Sequence, residues 1–258
     1  MNALTRQKNK ILQKASTAIK LVGKGELNDV FRRVKKNMKG DFTPLVDESE
    51  LKPKFTEAFQ FLKTKNKENS FIGDYLEFGV CNGSSILLAH NILKKLNFKD
   101  VRLFGFDSFE GLPKETEEEG AWREGEFYAN INNVKKHLSN NNVDWKRLKL
   151  IKGWYSKELF DETKEKYKIK KAGLIMMDCD IYFSTKLALD FCKDIILDHS
   201  IIVFDDWNSS NLAEKNEGEK KAFDEFMALN PQFNAREIGN YTFYGKPHGK
   251  IFYINRTS

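Results

Sequence analysis

From residue 73 onward, apolar residues gather into short runs that alternate with segments of helical period, the pattern of parallel strands joined by crossover helices. "DYLEFGV" (74–80), "VRLFGFD" (101–107), "LKLIKGW" (148–154), "AGLIMMDCD" (172–180) and "SIIVFDD" (200–206) read as strands. Their nearly unbroken apolar character is that of strands covered on both faces. Helical period falls on "SSILLAHNILKKL", near "ANINNVKKHLS", and over about 156–167, 183–198 and 217–229. "NAREIG" and "KIFYINR" supply two late strands suited to an antiparallel edge. The expected fold is α/β and Rossmann-like, a mostly parallel sheet with helices on both faces.

Upstream, "KFTEAFQFLKTKN" (54–66) has helical period, whereas "DFTPLVDESELKP" (41–53) has two prolines and none, and reads as a connector. Residues 1–40 set Ile11, Ala15, Ala18 and Val22 at helical spacing among Lys10, Lys14, Lys20 and Lys24. That is a solvated helix docking on the body or on a second subunit, in preference to one lying on a membrane. The chain thus divides into a basic helical extension over 1–45 and a domain over 46–258, an arrangement compatible with a homo-oligomer.

Composition refines this picture. A chain of 258 residues with 40% hydrophobic content can bury one sizeable core. Of its 43 Lys/Arg and 37 Asp/Glu, residues 1–40 hold 11 and 2, so the other 218 residues hold 32 and 35 and the body is near −3. The overall charge of +6 therefore belongs to the extension. A nucleic-acid-binding module built on that extension has no aromatic-basic motif to support it, and no nucleic-acid partner is expected. Cys81, Cys179 and Cys192 are odd in number and lack C-x-x-C spacing, which argues against a disulfide framework or a zinc site. No signal peptide or membrane-spanning run is evident, so the expected setting is reducing and cytoplasmic.

Four constellations carry chemistry. "LEFGVCNGSS" lies at a strand-to-helix junction, where Gly79 and Gly83 allow a ligand close to the backbone and Ser84 and Ser85 offer hydroxyl caps. Cys81 stands where a full G-x-G-x-x-G would place its second glycine, so this turn alone fits a packing turn as well as a cofactor loop. Asp107, 24 residues after Gly83, ends the next strand and is placed to accept from the hydroxyls of a ribose. Asp178 and Asp180 end one strand, and Asp205 and Asp206 end the next, so two neighbouring strands deliver up to four carboxylates to one rim. Like charges so close need a cation, a shared proton or full solvation, and oxygen donors without soft ligands suit Mg²⁺, Mn²⁺ or Ca²⁺. At least one of the four is expected to cap a helix instead.

With these residues in view, the chain resembles the macrocin O-methyltransferase family (TylF/MycF/NovP-like) of class I S-adenosylmethionine-dependent methyltransferases. "GDYLEFGVCNGSS", "LFGFDSFEGLP", "LIKGWYSKEL", "MMDCDIYFST" and "IIVFDDW" match in order across residues 73–207. The resemblance implies a seven-stranded class I fold, with S-adenosylmethionine above Gly79 and Gly83 and contacts from Glu77, Ser84, Asp107 and Ser108. It also implies Mg²⁺-dependent methylation of a hydroxyl, often on a sugar, with metal ligands at Asp178, Asp205 and Asp206. Asp178 is preferred over Asp180 as the ligand because it directly ends its strand. Trp207, Cys81 and Asn82 depart from the family pattern and bear on the acceptor.

On this reading the ion chelates vicinal hydroxyls of a small-molecule or glycan acceptor, and Asp178 or Asp180 takes the proton. The rival within enzymes is a metal-dependent methyltransferase for a catechol-like phenol. The loop from Glu110 to Glu126 suits a lid, with Trp122 or Phe127 closing on substrate and its Glu run solvated. Tyr182 and Trp154 read as packing residues before pocket walls, and His248 is left out of the catalytic set.

Overall fold

The computed structural model describes residues 48–66, 71–114, 118, 121–196, 198–243 and 245–256. The helix expected within 1–45 lies outside them. The strands are β1 (Asp74–Phe78), β2 (Leu103–Asp107), β3 (Leu148–Lys152), β4 (Ala172–Met177), β5 (Ser200–Phe204), β6 (Phe233–Phe243) and β7 (Lys246–Arg256). They form one seven-stranded sheet in the order β3-β2-β1-β4-β5-β7-β6. The first five pair in parallel, and β7 enters antiparallel between β5 and β6. The late strands are thus an antiparallel edge as expected, although each runs to 11 residues. Most of β6 is exposed and polar, and its pairing shifts register twice, which is why its length did not show as an apolar run.

The crossovers are α2 (Ser84–Lys95), α3 (Ile131–Asn140), α4 (Lys157–Tyr167) and α5 (Tyr182–Cys192). A short helix α6 (Leu212–Lys215) and α7 (Gly218–Leu229) connect β5 to β6. One further helix, α1 (Glu48–Lys65), precedes the sheet and starts six residues before the expected 54, inside the presumed connector. Its stripe of Leu51, Phe55, Ala58, Phe59 and Leu62 is buried, and this packing outweighs the backbone hydrogen bond that Pro53 cannot donate.

Phenylalanines fill the sheet–helix layer. Phe78 and Phe106 stack at 4.8 Å, and Phe160 and Phe191 meet both from α4 and α5. At the N-terminal ends of the strands, the fully buried Asp74 is held by the Arg102 guanidinium at 3.0 and 2.5 Å. At the opposite ends the sheet pairing continues for one residue past each strand. Gly79 N–H donates to Phe106 O (2.9 Å), Asp178 N–H to Phe78 O (2.8 Å) and Asp205 N–H to Met177 O (2.9 Å). The first residues of three loops are therefore fixed in one row, beside the β1/β4 point where strand order reverses and α/β sheets open a crevice.

Candidate active site

The glycine turn is shaped by close approach. Gly79 has φ +97°, and a Cβ there would stand 1.6 Å from the Asp178 carbonyl oxygen, so only glycine lets β1 and β4 emerge this close. Gly83 (φ 82°) starts α2 without a side-chain cap. The Ser84 N–H is taken by Asn82 Oδ1 at 3.0 Å, and the Ser85 hydroxyl turns inward to donate to Glu77 Oε1 at 2.9 Å. The expected serine caps are therefore not the caps. The Ser85 hydroxyl is spent on Glu77, while Asn82 sits before the first turn and takes an amide there.

Glu77 is fully buried between Ser85 and the Tyr75 hydroxyl, which donates to Oε2 at 2.5 Å. Burial pushes its carboxyl up to about 8, against the lowering influence of those two hydrogen bonds. Asp107 accepts from Cys81 N–H at 2.7 Å and Phe109 N–H at 2.5 Å, tying the turn after β1 to the turn after β2. Burial raises its carboxyl and these amides oppose the shift. Ser108 Oγ accepts from Glu110 N–H and donates to Gly111 O, so it shapes its own loop.

Next to this turn stands the carboxylate rim. Asp178 is partly accessible; burial, then Asp205 and Asp206, hold its carboxyl well above the usual range. Asp180 is buried in the left-handed region (φ 65°), and burial and Asp206 push its carboxyl up likewise. It shares a hydrogen bond with Asp206, whose Oδ1 also accepts from Ser209 Oγ at 2.6 Å. Asp205 accepts from the Tyr241 hydroxyl on Oδ1 and meets His248 Nε2 at 3.3 Å on Oδ2. Burial would lower the His248 pKa, but the hydrogen bond and charge of Asp205 outweigh it and hold the imidazole at about 9.

Asp205, Asp206 and His248 bring their ligand atoms within 4.8 Å of one another. The expected holders were Asp178, Asp205 and Asp206, and His248 stands with the two β5 aspartates in this group. Asp178 faces the same two aspartates but lies outside this tightest group. His248 was passed over as a lone histidine in a polar loop, whereas "KPHGK" belongs to β7, whose antiparallel course beside β5 carries the imidazole back to the β5 rim. Asn208 N–H donates to the His248 carbonyl at 3.0 Å, and Ser209 Oγ lies 3.3 Å from its Nδ1. The carboxylate oxygens of Asp205 and Asp206, with Asp178 facing them, suit a hard divalent cation, and the imidazolium of His248 is a partner of Asp205 rather than a ligand.

Two further expectations change. Glu118, in the presumed solvated run, is buried and its Oε1 accepts the Tyr182 N–H at 2.5 Å, capping α5 from the preceding loop. Trp207 is also buried, packed against Phe204, Phe223 and Phe252, so its departure from the family pattern concerns the core behind Asp205 and Asp206. Tyr182 packs as expected, its hydroxyl donating to Glu225. Trp154 is exposed. The three cysteines are free, and no described helix is long and apolar enough to cross a membrane.

The family described as macrocin-O-methyltransferase (TylF) matches residues 16–229 of the chain. A mycinamicin III 3''-O-methyltransferase from Micromonospora griseorubida is 23% identical over 145 residues, covering 52% of this chain and 55% of that protein's length. Among solved structures, the O-methyltransferase NovP superposes with a TM-score of 0.59 at 20% identity, over 80% of each chain. The calicheamicin methyltransferase CalS11 gives 0.60 at 16% identity, over 97% of this chain and 92% of that one. A Bacillus cereus O-methyltransferase solved with SAH gives 0.55 at 14% identity, over 95% and 97%. At these identities the superpositions establish the class I methyltransferase fold.

Proposed function

The chain belongs to the macrocin O-methyltransferase family, and on that footing we propose that it moves a methyl group from S-adenosylmethionine to a hydroxyl of a sugar or glycosylated acceptor, with a Mg²⁺ ion at the carboxylate rim. The observation that carries this reading is the placement of Asp178, Asp180, Asp205 and Asp206 directly beside the glycine turn at Gly79. The relative from Micromonospora and the calicheamicin enzyme bear names that support a sugar-bearing acceptor.

The turn residues Gly79 and Gly83, with Asp107 fastening the loop of Cys81 to that of Phe109, are the proposed cofactor cradle. S-adenosylmethionine supplies a methyl group on a positively charged sulfur, and the ion lowers the pKa of a hydroxyl it holds. Asp178, Asp205 and Asp206 are the proposed holders of the ion. His248 and Tyr241 orient Asp205 through its two oxygens, each of which keeps a lone pair. A sugar hydroxyl is a weak nucleophile, so its proton needs an acceptor within reach. Asp178 and Asp180, set side by side where β4 ends at the proposed ion, are the carboxyls suited to take it.

The test is incubation with S-adenosylmethionine, Mg²⁺ and a panel of nucleotide sugars, glycosides and simple catechols, read by mass spectrometry for a product heavier by one methyl. Products are expected on sugars, to vanish with EDTA and to return with Mg²⁺. Product on catechols alone would replace the sugar reading with the phenol one, and turnover in thoroughly chelated protein would remove the ion from the reaction.

A further inference from the structure

Behind the rim lies a carboxyl that the proposed chemistry leaves unused. Glu219 stands in the first turn of α7, with no exposed surface, and no side chain donates a hydrogen bond to either of its oxygens. Its electrostatic neighbours Asp206, Asp205 and Asp178 are all acidic, and the Asp206 backbone N–H acts against them. The chain delivers it there deliberately: Gly218 takes φ +59°, and a Cβ on it would come within 3.0 Å of Leu212 Cδ1, so the helix starts tight against α6 and turns Glu219 inward. An apolar side chain would fill that space with neither desolvation nor repulsion. A buried carboxyl with no side-chain donor, facing three more carboxyls, is unfavourable unless something positive, or something that donates hydrogen bonds, comes between them.

We propose that Glu219 is a working part of the cation site, an outer carboxylate whose oxygens accept hydrogen bonds from water carried on the divalent ion. The inference rests on the reading that the aspartate rim holds such an ion, and adds to it a residue from another element. Glu219 is not among the three residues whose ligand atoms fall within 4.8 Å of one another, and the role proposed for it is that of an outer partner. Outer carboxylates of this kind orient what the ion binds and raise its affinity. Sequence reading missed Glu219 because "EGEKKAF" looks like any charged first turn of a helix, and only the sheet's geometry sets it behind Asp205 and Asp206.

The experiment titrates Mn²⁺ alone into the full chain and into Glu219→Gln, by calorimetry and by loss of the free-Mn²⁺ paramagnetic resonance signal, with thermal melts before and after metal. The Gln variant is expected to bind Mn²⁺ about tenfold or more weakly, in the range found when outer partners of metal ligands are removed. Its metal-free melting temperature should equal or exceed that of the parent, because a carboxyl buried without a side-chain donor has gone, while the Mn²⁺-induced rise shrinks. Glu219→Met, which keeps the length, serves as the second variant and should behave the same way. Unchanged Mn²⁺ affinity in the variants overturns the proposal, and a drop in metal-free stability beside that unchanged affinity marks Glu219 as a packing residue. Failure of the parent chain to bind Mn²⁺ overturns the ion itself, a result distinct from a failure of Glu219.

Discussion

The ring of Tyr241 crosses the backbone of Gly249 so closely that a Cβ on Gly249 would stand 2.1 Å from Tyr241 Cζ and 2.5 Å from its hydroxyl. That hydroxyl donates to Asp205, and the ring is buried, so it has no free space into which to retreat. Gly249→Ala should therefore displace Tyr241 and cost about 1–3 kcal/mol, the usual range for overpacking. Tyr241→Phe keeps the ring and removes only the donor, at about 1.5–3 kcal/mol for a hydrogen bond to a charged group. Urea unfolding of both variants checks the pair. Both should also weaken Mg²⁺ binding, since each frees Asp205 to turn; intact binding in both would show that Asp205 needs no such support.

Asp107 joins two loops. Asp107→Ala leaves the Cys81 and Phe109 amides without their acceptor, at about 1–3 kcal/mol for each buried group. The glycine turn should loosen and S-adenosylmethionine binding fall tenfold or more by calorimetry. Asp205→Asn should do the reverse, removing turnover with cofactor affinity nearly intact. Equal losses of cofactor affinity in the two variants would contradict the separation of cradle from rim.

Glu77 makes stability depend on pH. Its folded-state carboxyl sits at about 8 against 4.5 for a free one, so between those values the folded chain holds a proton that the unfolded chain has released. The stabilisation is complete below about 4.5 and is lost as pH rises through about 8, at roughly 1.4 kcal/mol per pH unit. Glu77→Gln, whose amide resembles the protonated acid, should flatten the slope of unfolding free energy between pH 5 and pH 8 in a urea series. An unaltered slope would place the titration elsewhere, in the rim carboxyls raised by burial and by one another.

What was legible in the sequence was what an uninterrupted local signal encodes. Four of the five parallel strands announce themselves because both their faces are buried, the edge strand β3 being only half-buried, and Asp107, Asp178 and Asp205 follow because each stands at the end or just past it. Glycine at position 79 is similarly forced by close approach. Less legible were contacts made across the chain. His248 reaches Asp205 from a strand 43 residues later that runs antiparallel to β5, and Glu219 arrives from a helix whose entry angle Gly218 sets. The start of α1 was hidden by Pro53, a local preference that the buried stripe overrode. Such features carry no period, because they depend on which elements become neighbours rather than on spacing within one.

Glu118 shows how one long contact ties a loop to the rim. The residue before α5 is Ile181, which has no side-chain acceptor, so the Tyr182 N–H at the helix start would be orphaned without Glu118 Oε1 at 2.5 Å. A carboxylate there also complements the positive end of the helix. Since α5 begins two residues after Asp180, the same bond fixes the approach of the 108–127 loop to the acidic rim. Glu118→Ala should cost about 1 kcal/mol, as loss of a helix cap does. It should also speed proteolytic cleavage between residues 110 and 126, while Glu118→Gln, which keeps an acceptor oxygen, should largely restore the parent's resistance. The backbone hydrogen bonds of Leu112 with Gly125 and Glu126 remain in both variants, so the difference between Ala and Gln isolates the Glu118 contact. Limited digestion followed by mass spectrometry reads the outcome, and identical cleavage rates in parent and Ala variant would show that those backbone bonds alone hold the loop.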